Sequence, residues 1–67
     1  MPNLDRIALE TLTRLAAERA ELEARLRANL DATRAEVRTG SRAGVALAKL
    51  ARAAGVSRVT AYRWLAD

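Results

Sequence analysis

The sequence predicts an all-α fold in which one long helix precedes two short ones. Three observations carry that expectation. Residues 4 to 38 contain neither glycine nor proline. Leucines in that stretch return at helical spacing, with acids and bases four residues apart on the other faces. Beyond it, breaks at Thr39-Gly40-Ser41 and at Gly55 divide the remainder into two short segments.

The long helix is expected from Leu4 to about Arg38. Asn3 suits the N-cap, with Pro2 just outside it, and Asp5 puts an anion in the first turn, where the helix dipole favours one. Gly40 is the expected left-handed residue at the C-terminus. On a helical wheel Leu4, Ala8, Leu12, Leu15, Leu22, Leu26, Leu30 and Val37 share one narrow stripe, while Ile7 and Leu9 lie off it. Glu10–Arg14, Glu21–Arg25, Glu23–Arg27 and Arg27–Asp31 are spaced to pair, each adding about 0.2–0.5 kcal/mol to the same conformation.

Length and composition restrict what such a helix can do alone. Sixty-seven residues make one domain, 1–67, whose lone core is marginal. No cysteine or histidine is present, so disulfides and the usual zinc sites are excluded; no metal, cofactor or small-molecule ligand is expected. A small chain without such staples commonly gains buried area by oligomerising. No signal-peptide pattern and no apolar run of roughly 18 residues occurs, so no membrane partner and a cytoplasmic location are expected. Eleven arginines to one lysine, with sixteen alanines, match the bias of a GC-rich bacterial, plasmid or phage genome.

The stripe is too long for the residues after it to cover, so part of it is expected to meet a second copy, making the long helix a dimerisation element. Leu12, Leu15, Leu22 and Leu26 keep the spacing of an interhelical seam, and Arg19 interrupts it. Arg19 either reaches out of the seam toward Glu18 or Glu23, or pairs with an acid of the partner and fixes register. The seam leaves parallel and antiparallel arrangements open. Glu18, Glu21 and Glu23 point around different faces among basic neighbours, as on a solvated surface. No catalytic residues are expected, and no enzymatic activity.

The charge of the chain is unevenly placed. Residues 1–38 hold seven arginines and seven acids, whereas residues 39–67 hold Arg42, Lys49, Arg52, Arg58 and Arg63 against Asp67 alone, so the net +4 lies entirely in the C-terminal part. Such asymmetry points to a polyanionic partner for one segment. There Ser41 is expected to cap a second helix, about Arg42 to Ala54, with Val45, Leu47, Leu50, Ala51 and Ala54 inward and Gly44 weakening its first turn. Gly55 stops it, Val56 enters the core, and Ser57 caps a third helix from about Arg58 to Ala66.

Residues 47–66, LAKLARAAGVSRVTAYRWLA, resemble the helix-turn-helix of bacterial DNA-binding proteins, most nearly that of the resolvase and invertase recombinases and of small bacterial or phage regulators. Ala51 precedes Gly55 by four residues, Gly55 supplies the turn, and Val56, Ala61 and Trp64 stand where the family buries hydrophobes. Thr60, Tyr62, Arg63, Trp64 and Leu65 match the tail of the recombinase domains best. The resemblance implies a structural core of Ala51, Gly55, Val56, Ala61 and Trp64, with base contacts from Val59 and Arg63. It covers the binding module alone, so recombination is not implied.

The residues support the same picture on physical grounds. With Ala61, Trp64 and Leu65 inward, Arg58, Val59, Tyr62 and Arg63 face outward. Arg63 can bond guanine O6 and N7 in the major groove, Val59 can touch a thymine methyl, and Arg58 can reach a base edge or phosphate. Ser57, Thr60 and Tyr62 suit phosphate oxygens, and Lys49, Arg52 and Arg42 suit backbone contacts. Leu26, Leu30 and Val37 of the long helix are expected to close the core over the two short helices.

The function expected from these observations is sequence-specific double-stranded DNA binding by a small homodimeric repressor or regulator of a bacterium or mobile element, associated with the nucleoid. Half-sites about one helical turn apart are expected. Nonspecific architectural binding is the alternative from the same class. A helical protein-interaction module, of an antitoxin-like kind, is the alternative from another.

Overall fold

A computed structural model of the chain describes residues 3–66, and these form three helices. They are α1 (Leu4–Arg42), α2 (Leu47–Ala54) and α3 (Arg58–Ala66), with no strand among the described residues. Asn3 caps α1 as expected, its Oδ1 accepting from the Arg6 N–H at 3.0 Å. Pro2 and Asp67 lie outside the described residues.

The long helix runs past its expected end at Arg38, and Gly40 stays helical within it. The left-handed residue is Gly44, at φ +89°. Around it Gly44 N–H donates to the Ser41 carbonyl and Val45 N–H to the Gly40 carbonyl, each at 3.0 Å, which is the Schellman closure of a helix end. The expected chemistry occurs, but at a later glycine. Gly40 has another duty: a Cβ built on it would come within 2.6 Å of Leu50 Cδ2, so the missing side chain lets Leu50 of α2 lie on the α1 backbone.

That shift corrects the start of the second helix. Ser41 and Arg42 belong to α1, and α2 begins at Leu47 behind Ala46, which makes no side-chain cap. Val45, expected to point inward from α2, stands exposed in the connection. The next boundary falls where expected: Gly55 takes φ +72°, its N–H donates to the Arg52 carbonyl and that of Val56 to the Ala51 carbonyl. Ser57 then caps α3, its Oγ accepting from the Thr60 N–H at 3.1 Å.

The core is small. Val37 of α1, Ala51 of α2, and Ala61 and Trp64 of α3 are buried, with Leu47, Leu50, Ala54, Val56 and Leu65 packed around them. Leu30 is half-buried at its edge, but Leu26 is exposed, three turns before Val37 and beyond the reach of the short helices. Two arginines fasten α3 to α1. The Arg38 Nε–H donates to the Trp64 carbonyl at 2.9 Å, supplying a partner for an end-of-helix acceptor that has none within α3. One turn earlier, the Arg34 guanidinium lies 5.7 Å from the centre of the Trp64 ring, a cation–π contact.

Along the rest of α1 the surface ion pairs are partly those expected. Glu21 pairs with Arg25 at 3.1 Å, but Glu10 pairs with Arg6 rather than Arg14, and Asp31 with Arg34 rather than Arg27. All are exposed, so swapping one neighbour for another changes little. The described chain measures 66 × 17 × 16 Å: a helical rod carrying a small module at its C-terminal end.

Candidate nucleic-acid interface

The candidate surface is the outer face of α3. Trp64 and Ala61 anchor this helix, and the 3.6-residue period then sends Arg58, Val59, Tyr62 and Arg63 outward together. Val59 is 62% and Tyr62 65% exposed. Arg58 and Arg63 flank them and are exposed too. No acidic residue lies between Ser41 and Ala66.

The remaining candidates fall into three places. Lys49 and Arg52 are exposed on α2, and Arg42 is exposed at the end of α1 rather than on α2, where the sequence put it. Ser57 and Thr60 are tied to each other at the start of α3: the Ser57 hydroxyl donates to Thr60 Oγ1 at 3.1 Å while accepting from its backbone N–H. Thr60 is half-buried by this arrangement. Ala51, Val56, Ala61 and Trp64 lie beneath the face in the core, whereas Gly55, expected with them, is exposed and serves only the turn between α2 and α3.

The seam candidates occupy the opposite part of the molecule. Leu12, Leu15, Leu22 and Leu26 are between 45% and 61% exposed along α1, with exposed Arg19 among them. Apolar surface of this extent along one side of a helix is what a second helix covers.

Sequence reasoning missed Arg34 and Arg38 as parts of the module. Their signal was available in outline: they stand four apart on the side of α1 that carries Val37. Which carbonyl and which ring they meet depends on where α3 packs. Among the described residues no group of three side chains is placed to hold a metal ion, and no helix is long and apolar enough to cross a membrane. Comparisons of the chain with protein-family models, with curated proteins and with solved structures find no match to any of them.

Proposed function

We propose that this chain binds double-stranded DNA in a sequence-specific way, inserting α3 into the major groove, and that it does so as a homodimer held by α1. One observation carries the reading: Arg58, Val59, Tyr62 and Arg63 share the exposed face of a helix whose other face is locked by Ala61 and Trp64. A helix is the element the major groove admits, and this one brings both kinds of contact that the groove reads. Arg63 has the planar fork for guanine O6 and N7, Val59 the methyls for thymine, and Arg58 and Tyr62 reach base edges or phosphates. Lys49, Arg52 and Arg42 add backbone attraction without sequence information.

Occupying a promoter is the regulatory act such a molecule performs most directly, and a small repressor of a bacterium or mobile element, resembling the recombinase binding module, is the biological setting we assign to it. Selection from a random duplex pool at near-physiological salt tests the reading. Enrichment of an inverted repeat is the expected result. Tight binding with a steep salt dependence and no enriched motif would instead make it an architectural binder. Absence of binding even at low salt would overturn it in favour of a protein-docking hairpin.

A further inference from the structure

A groove of about 410 Å³ runs between α1 and α2, its floor on the α1 side formed by Ala32, Val37 and Gly40 together with Asn29, Thr33 and Glu36, and its wall on the α2 side by Leu50 and Ala53. At the far end of the rod Leu4, Ile7 and Leu9 are exposed within the first two turns of α1. Asn29, Thr33, Glu36 and Gly40 occupy the heptad positions that Leu12, Leu15, Leu22 and Leu26 occupy earlier, so seam and groove are one track along α1.

The two ends of this track are unlike. The N-terminal end is a bare helix surface bearing leucines. The C-terminal end has polar residues among Ala32, Val37 and Gly40 on its floor, with an apolar wall supplied by α2. A parallel second copy sets like against like: Arg19 meets Arg19, Glu36 meets Glu36, and Glu18 lies across from Glu23. It also sends Asn29 and Thr33 into the groove and leaves Leu50 and Ala53 without apolar cover.

An antiparallel copy sets unlike against like-fitting surface. With Leu15 opposite Leu26, Arg19 comes beside Glu23 of the second copy and Glu18 beside its Arg25, each contact made twice by symmetry. Leu9, off the stripe and exposed in the single chain, meets the half-buried Leu30. Leu4 comes to the level of Val37, which lines the groove. Two like-charge approaches remain. Asp5 faces Glu36 on the groove floor, both side chains being exposed in the single chain. The two Arg19 lie three residues apart along the seam, each beside Glu23 of the other copy.

We propose that a second copy of this chain packs antiparallel along α1 and seats its first turns in the groove between α1 and α2. The inference rests on the pairing half of the reading above and is independent of DNA binding.

Cysteine cross-linking tests it directly, because the native chain has no cysteine. Leu4, Leu15, Leu26 and Ala53 are all exposed, so replacing them leaves the core of the single chain untouched. A mixture of the Leu15→Cys and Leu26→Cys proteins, mildly oxidised without DNA, is expected to give several-fold more covalent dimer than either alone. Homotypic cross-linking as efficient as that of the mixture would overturn the antiparallel arrangement. A mixture of Leu4→Cys and Ala53→Cys is expected to cross-link too; failure there alone would overturn the groove seat. Sedimentation of the unmodified chain gives a second readout, and a monomer at tens of micromolar would overturn the whole proposal. None of these outcomes bears on α3, so loss of DNA binding and loss of pairing remain distinguishable.

Discussion

Gly40 shows how one residue serves two conflicting demands. Glycine within a helix costs about 1 kcal/mol relative to alanine, yet a Cβ at this position would meet Leu50 Cδ2 at 2.6 Å. That atom is the end of a flexible side chain, so Gly40→Ala is expected to change stability by less than about 1 kcal/mol, the helix gain offsetting the displaced leucine. Gly40→Leu has no such escape and is expected to cost about 1–3 kcal/mol by forcing α2 off α1, read as a lower urea midpoint. Arg38 is a second test at this scale. Replacing it with glutamine of similar reach keeps a donor but removes the charge at the end of α3, with an expected loss of about 1 kcal/mol.

At the scale of the element, α3 depends on Trp64 for its place and on its outer face for its proposed work. Trp64 is the largest member of a core with only four buried residues among those described. Trp64→Ala removes about 3–5 kcal/mol, comparable to the whole stability a module this small can have. Its amide exchange in α2 and α3 is expected to lose protection while the middle of α1 keeps most of its helicity by circular dichroism. Arg58→Ala combined with Arg63→Ala touches nothing in that core and should leave the thermal melt within about 0.5 kcal/mol of the native chain. DNA affinity, measured by fluorescence anisotropy, is expected to fall at least tenfold in the same protein, and unchanged affinity would remove α3 as the reading helix.

The whole molecule is far from compact. Its radius of gyration is 19.4 Å, against about 11 Å for a compact domain of this length. Most of α1 therefore lies beyond the reach of α2 and α3, and its leucines are exposed in the single chain. Pairing is the physical remedy, and its direction sets the span of the assembly. Antiparallel copies place their C-terminal modules about 50 Å apart at 1.5 Å per residue, wider than the roughly 34 Å of one DNA turn. Under the antiparallel arrangement, the one-turn half-site spacing expected from the sequence gives way to a wider one. Duplexes with two half-sites at graded separations are expected to bind most tightly when the separation exceeds one turn; an optimum at one turn would favour parallel pairing.

The sequence by itself determined the number and order of the helices, the N-caps at Asn3 and Ser57, the turn at Gly55 and the outward group on α3. These are local matters: a cap is a hydrogen bond over three residues, a left-handed turn needs a glycine nearby, and the faces of a helix follow from its period. It also made plain that the long stripe exceeds what the short helices can cover, since that is a comparison of lengths. Tertiary structure decided which of two glycines ends α1. Gly40 and Gly44 are equally permissive as residues, and only the approach of Leu50 assigns one to packing and the other to the turn. It likewise decided that Val45 stands outside α2 and that Leu26 lies beyond the core. The roles of Arg34 and Arg38 were hidden for the same reason, because their partners come from Trp64, far along the chain. Local hydrogen bonding writes the elements into the sequence, but a contact between distant residues exists only once the helices have packed.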